Sequence, residues 1–453
     1  MIPASDPSIP IPRLPQELVD HIIDHLYDDT LTLNSCSLVC HAWLPTSRLH
    51  LFSKISLKVT PAVAPSELCK RLHRLLTSSP YIIPYIRELD VLEGSPLGGA
   101  QAQAQAVPPA AQGGTARSTT WVTTERTFPH LLRTLTHLQR LEFGAQSTTL
   151  HWALLPPSLQ SALHRVFSLR SLTFVRLRSW SFTHFGDLAA LLACCRNLQG
   201  LALACVSVSG DLGVPGVVFD IPETDAEGDD DDDESSVRSA AGEDEQPTSQ
   251  CRLEFLTIEH VGSGQLGHWL LSPRSTVDLR GLRELRIAHF HDLPAIERLL
   301  ARTGDSLEYF HFKTGCLDVY PFDLSINANL RSIKLTLEDP PNALLWVQTL
   351  LHSVSPPNVL EHIGLEFYTD LKQMVDGWAE LDALLLRPEL AGLRQVDVGL
   401  FARPTSPEFT RVAEELAGLG ARGVLRMYRL GLKNQRSNQQ IALMPRMSRY
   451  DSD

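Results

Sequence analysis

LRELRI, residues 282–287, decides the fold. Read with the two-residue period of a strand, Leu285 and Ile287 share one face, while Glu284 and Arg286 point the other way. The same LxxLxL form recurs as LRSLTF from Leu169, LQGLAL from Leu198 and LEFLTI from Leu253. Looser copies start at Ile86, Leu138, Leu307, Leu330, Leu360 and Leu393, making ten in all. Where nothing intervenes, successive copies lie roughly 23 to 33 residues apart, overlapping the 20 to 29 of leucine-rich repeats and extending beyond it. Between them, residues 185–195, 295–301, 343–352 and 378–386 place apolar side chains at helical spacing. A single strand-plus-helix unit cannot bury its own apolar face. The expectation is therefore a stack of units, with parallel strands lining one side and helices the other.

This pattern resembles leucine-rich-repeat proteins over about three quarters of the chain, without the Asn or Cys that usually follows the strand. Working outward, two segments interrupt it. Residues 95–127 carry Gly98-Gly99, a Gln/Ala run, Pro108-Pro109 and Gly113-Gly114, and read as a disordered insertion. Residues 213–250 surround the run Asp229 to Asp233 and read as a second one. The repeat resumes after each, and loop-closure entropy grows slowly with length, so both fit as insertions within one array.

Toward the N-terminus, residues 13–57 read RLPQELVDHIIDHLYDDTLTLNSCSLVCHAWLPTSRLHLFSKISL. Pro15 suits a first helical turn, and Leu18, Ile22 and Leu26 recur at i, i+4 and i+8. A second helix, over about residues 31–43, would put Cys36, Val39, Cys40 and Trp43 on one stripe. So short a segment has too little interior to hide all of these side chains. The stretch resembles the F-box in its fungal form, through Leu14-Pro15, Glu17-Leu18, Ile22, Leu26, Leu33, Cys36 to Cys40 and Trp43, in order; His41 stands where that family often has Arg or Lys.

The resemblance implies a non-catalytic, substrate-recruiting subunit of an SCF-type cullin-RING ubiquitin ligase. It implies a Skp-type adaptor as partner, with Leu14, Pro15, Leu18, Ile22, Leu26, Leu38, Val39 and Trp43 as the adaptor contacts. The alternative is that these residues form only the core of a small helical domain. For the whole chain, the alternative is a repeat scaffold that binds partners without promoting ubiquitin transfer.

The expected architecture is α/β. It comprises a tail (residues 1–12), a helical F-box (13–57), a helical connector (58–85), an irregular leucine-rich-repeat solenoid (86–432) and a second tail (433–453). On the outward strand face, the fifth positions read Thr257, Arg286, His311, Lys334, Gly364 and Asp397. Arg286, His311 and Lys334, with Phe255, Tyr309 and Lys313 beside them, form a candidate site for an acidic or phosphorylated segment of a protein substrate. The competing reading is a solvated face whose charges are offset by Glu259 and Glu284. The acidic insertion is a further candidate occupant of this patch.

Composition narrows the function classes. The net charge of −12 is concentrated in residues 223–245, where twelve carboxylates face the single Arg238, so the remainder is nearly neutral. That gives no support for a nucleic-acid face. The longest apolar run, residues 188–195, falls far short of the roughly 20 residues of a membrane-spanning helix. Eight scattered cysteines without CxxC pairs, and no secretory leader pattern, fit a cytoplasmic or nuclear protein. Gly262, Gly264 and Gly267 form a GxGxxG spacing, read as a repeat turn rather than a nucleotide loop. His289 with His291, and Cys36 with Cys40, lack the further ligands of a zinc site. No cofactor and no catalytic motif is expected.

Overall fold

The computed structural model describes residues 14–58, 63–94, 120–146, 148–208, 251–261, 264–273, 275–290, 292–314, 322–338, 342–368, 376–401 and 406–431. Both tails, the insertion at 213–250, Gly262 and His291 lie outside them, as does most of the insertion at 95–127. The chain divides into two units, residues 1–180 and 181–453.

The first unit opens with three short helices, α1 (Gln16–Asp24), α2 (Thr30–Cys36) and α3 (Leu44–Phe52). Strand β1 (Lys54–Lys58) and helix α4 (Pro65–Ser78) follow, then β2 (Glu88–Glu93), α5 (Trp121–Thr124) and α6 (Phe128–Thr134). The unit continues through β3 (Arg140–Ala145), β4 (Leu150–His151), α7 (Pro157–Phe167) and β5 (Phe174–Phe182). Its parallel strands run in the order β1-β2-β3-β5.

Three expectations change here. The sheet begins inside the stretch read as F-box, because Ile55 and Leu57 stand in register with Leu89 and Val91. Residues 120–127 are not a loop: α5 buries Val122, whose N–H donates to the Glu93 carboxylate (3.2 Å), and Trp121 packs edge-on against Phe128 (5.3 Å). Burial pushes the Glu93 carboxyl up. The hexad at Leu169 is shifted by three residues: the leucine that turns inward before the strand is Leu172, and Val175 and Leu177 face Leu141 and Phe143. Two overlapping LxxL frames coexist in LRSLTFVRL, and burial selects the later one because α7 and its C-terminal turn occupy the chain up to Ser168.

The second unit continues the strand–helix alternation. It comprises α8 (Phe185–Ala193), β6 (Gly200–Val208), β7 (Cys251–Arg252), β8 (Phe255–Glu259), α9 (Gly264–Leu271), β9 (Val277–Asp278), β10 (Glu284–Ala288) and α10 (Leu293–Thr303). Then come β11 (Tyr309–Thr314), β12 (Ser332–Leu337), α11 (Ala343–His352), β13 (His362–Phe367), α12 (Trp378–Leu385), β14 (Gln395–Leu400), α13 (Pro407–Glu415), α14 (Ala417–Arg422) and β15 (Leu425–Arg429). Its parallel order is β6-β8-β10-β11-β12-β13-β14-β15. The hexad leucines are closed off from solvent, as at Leu253, Leu256, Ile258, Leu282, Leu285 and Ile287, and burial alternates along β8 and β10 as a period of two requires. The last strand, β15, has no leading leucine in its hexad and so escaped the repeat count; its Leu425 and Met427 pair with Val396 and Val398.

The glycines of the GxGxxG spacing that can be placed are helical rather than turn residues. Gly264 opens α9, and a Cβ at Gly267 would come within 2.8 Å of the Ala295 side chain, so Gly267 permits close packing of α9 on α10. Along the leading edge of β8, β10, β11, β12, β13 and β14, the second hexad positions alternate in sign: Glu254, Arg283, Glu308, Arg331, Glu361, Arg394. Successive members are joined through the backbone, each N–H donating to the carbonyl of its predecessor at 2.8–2.9 Å. Two pairs also meet through side chains, Arg283 with Glu308 (2.7 Å) and Arg394 with Glu361 (3.6 Å).

Candidate functional site

The helical module is built around Val19, Ile23 and Leu33, with Leu26, Trp43 and Leu51 packed on them. Its start and joints are fixed by polar contacts. Asp29 caps α2, accepting from the Leu31 and Thr32 N–H groups (3.1 and 3.0 Å) and from the Thr32 hydroxyl (2.6 Å). Those bonds hold its carboxyl below the usual range. Helix α1 is tied to α3 by Thr46 donating to Asp20 (2.6 Å) and by His50 with Asp24 (2.7 Å), and to the preceding loop by Gln16 Nε2 donating to the Ala42 carbonyl (2.9 Å).

The expected single helix over residues 31–43 is broken. Helix α2 ends at Cys36, and turns carry the chain to α3, whose N-cap is Trp43 and whose first turn holds Pro45. The break separates the expected stripe: Cys36 is buried and Trp43 half-buried, while Val39 and Cys40 point into solvent. Pro45 suits the first turn of α3, where a missing backbone N–H costs no intrahelical bond.

What remains outside is a set of large apolar side chains with no cover among the described residues. Leu14 is 59% exposed, Leu18 49%, Ile22 48%, Leu38 86% and Val39 60%. Leu31, which the sequence reading passed over, is 79% exposed. Pro15 is exposed as well, whereas Leu26 and Trp43 face the module's own core. Of the eight proposed contacts, six are thus presented outward and two pack inward. The i, i+4 reading of α1 found the outer face; the inner face, Val19 and Ile23, is offset by one residue.

In the second unit, register brings the fifth-position row together as read. Thr257 pairs with Arg286, Arg286 with His311, His311 with Lys334, Lys334 with Gly364 and Gly364 with Asp397, and Arg426 extends the row. The charges do not add up to a basic patch. Arg286 is paired with Glu284, Lys313 with Glu338 (3.0 Å) and Lys334 with Glu366 (2.8 Å). Burial, reinforced by Lys334, Arg286 and Lys313, pushes the His311 imidazole down to about 3, so it is uncharged at neutral pH. Tyr309 is 46% exposed and Phe255 half-buried beside them. Of the two carboxylates named from sequence, Glu284 offsets a charge, and two others, Glu338 and Glu366, complete the neutralisation.

Glu366 centres a buried network. It is 4% exposed and accepts from Lys334, from Thr336 (3.0 Å) and from the Tyr428 hydroxyl (2.9 Å). His311 lies 3.3 Å from the same Thr336 hydroxyl. Tyr428 reaches Glu366 across β14 because Gly399 lies between: a Cβ there would come within 2.8 Å of the Tyr428 ring. Burial and the Glu366 charge push the Tyr428 hydroxyl well above its usual range.

A Ser–His–Asp line crosses three neighbouring strands: Ser332 Oγ lies 3.1 Å from His362 Nδ1, and His362 Nε2 lies 2.9 Å from Asp397, which also accepts from Gln395 (2.9 Å). No spacing motif marks it, since the members are dispersed through three repeats. The backbone N–H groups of Ser332, His362 and Gln395 all donate to neighbouring strand carbonyls, leaving none of them to stabilise an oxyanion. The line fixes the imidazole on the sheet.

Among the described residues, no group of three or more His, Cys, Asp or Glu side chains is placed to hold a metal, and no helix is long and apolar enough to cross a membrane. Stacked His260 and His289 (4.0 Å between ring centres) belong to the polar edge near Glu338. In comparisons with known proteins, no family profile matches the chain and no curated protein matches it.

Proposed function

We propose that the chain is an F-box type substrate receptor of an SCF-type cullin-RING ubiquitin ligase. In this reading the helical module docks on a Skp-type adaptor, and the second unit's strand–helix repeats, of leucine-rich-repeat character, hold a protein substrate. The observation that carries the reading is the exposure of Leu14, Leu18, Ile22, Leu31, Leu38 and Val39 around a module whose core is complete without them. Full burial of one such side chain contributes roughly 1.5 to 3 kcal/mol, so covering the exposed parts of several together is of the same order as an association cost of about 4 to 15 kcal/mol. The protein carries no reacting group in this scheme; it raises the local concentration of substrate near a ubiquitin-loaded enzyme.

The test is co-purification of the full chain with a Skp-type adaptor, beside the double variant Leu18→Asp, Val39→Asp. Both positions are outward, so the variant retains its fold while losing the adaptor. Trp43 is unsuitable for this purpose because it packs on the module core. Capture by the native chain alone supports the receptor; equal capture of both, or of neither when both are folded, sinks it. In that event the reading that remains is a scaffold that binds partners without ubiquitin transfer.

A further inference from the structure

A pocket of about 420 Å³ lies in the first unit, between α3 and the turn at Pro80–Tyr85, and the adaptor reading does not use it. Its walls are Pro45, Thr46, Leu49, Tyr81, Pro84 and Tyr85, with Arg87 at one side. Tyr81 is 55% exposed, and the Arg48 guanidinium lies over its ring, 4.9 Å from the centre.

The charges at this pocket are unbalanced, unlike those on the outward sheet face. Neither Arg48 nor Arg87 has a carboxylate within ion-pair distance among the described residues. Asp20, on the adjacent helix, is engaged by Thr46 and Gln16, and Glu88 lies 3.8 Å from Lys54. The Arg87 backbone is fixed in the sheet, its N–H donating to Ser53 and its carbonyl accepting from Gln139 and Arg140, while its side chain is exposed. The contact with the Tyr81 ring engages the Arg48 guanidinium by its charge and leaves its N–H groups available to a carboxylate.

Tyrosine and proline rings side by side form the kind of surface on which polyproline segments stack, since such a segment is already extended and loses little entropy on docking. Two arginines beside those rings select for acidic neighbours in the bound segment. We propose that this pocket binds a proline-containing acidic peptide segment of a partner protein. The rings take the prolines, and Arg48 and Arg87 take the carboxylates. The site is separate from the outward apolar side chains of α1 and the α2–α3 turn, so it stands whether or not the adaptor reading does.

The experiment is fluorescence anisotropy with the full chain and two labelled proline-rich peptides, identical except that one carries aspartates and the other lysines. The aspartate peptide is expected to bind and the lysine peptide not. Tyr81→Ala should weaken binding by about ten-fold, the size of a hot-spot truncation. Tyr81→Phe should retain it, and Arg87→Glu should abolish the preference for the aspartate peptide. Both side chains are exposed, so the variants should leave the thermal unfolding midpoint unchanged, and the Leu18→Asp, Val39→Asp chain should bind the peptide as the native chain does. Equal binding of the two peptides, indifference to Tyr81→Ala, or no binding at millimolar peptide overturns the proposal. Binding that appears only after deletion of residues 1–13 also overturns it, by assigning the pocket to the chain's own Pro3, Asp6, Pro7, Pro10 and Pro12 segment.

Discussion

Ile22 and Ile23 are neighbours on α1, yet one is 48% exposed and the other is closed off completely. Lys334 and Glu366 are strangers in sequence, yet each answers the other's charge. The helical module leaves interaction potential unspent at its surface, whereas the outward face of β10 to β14 pairs its charged groups internally. A surface of the first kind gains free energy by being covered. One of the second kind must give up existing ion pairs before a charged ligand can use them, so it discriminates by shape and hydrogen bonding more than by net charge.

The contrast can be broken most severely at Glu366. Replacing it by Ala leaves Lys334, Thr336 and Tyr428 facing an uncompensated site, with an expected loss of about 3 to 5 kcal/mol in denaturant unfolding. An unchanged midpoint would mean that the network contributes nothing. Next is the isoleucine pair: Ile23→Ala should cost about 2 to 5 kcal/mol of module stability, and Ile22→Ala less than about 0.5 kcal/mol while weakening adaptor capture. Similar losses at both positions would erase the inner and outer distinction.

The third test is acidification. Because the His311 imidazole is held at about 3 in the folded chain, below its usual 6.5, the unfolded chain binds the extra proton first. His311's contribution is therefore fully present above about pH 6.5 and is lost as pH falls from there toward 3. His311→Gln should flatten that slope in pH-resolved melting curves. The smallest effect is expected at the partly exposed Lys313–Glu338 pair, where Lys313→Ala should cost about 0.2 to 1 kcal/mol, less in high salt.

The hexad leucines announced the strands because burial repeats every second residue whatever the helices between them do. They failed at Leu169, where two frames satisfy the same spacing, and at β15, where the leading leucine is missing. The outward row could be ordered from sequence, since register follows the buried leucines. Its neutralisation could not, since Glu366 and Tyr428 are 62 residues apart and meet only because Gly399 lies between them. In the helical module, spacing marked an apolar face without telling which apolar residues were inside. That choice depends on the turn after Cys36, which turns Val39 and Cys40 outward.

The alternating signs of Glu254, Arg283, Glu308, Arg331, Glu361 and Arg394 impose a parity rule on how such a chain can grow or shrink. Excising one repeat from this run brings two like charges onto adjacent strands; excising two neighbouring repeats restores the alternation. Duplications and deletions within the run therefore preserve the alternation when they come in pairs, a longer unit than the single repeat that folds.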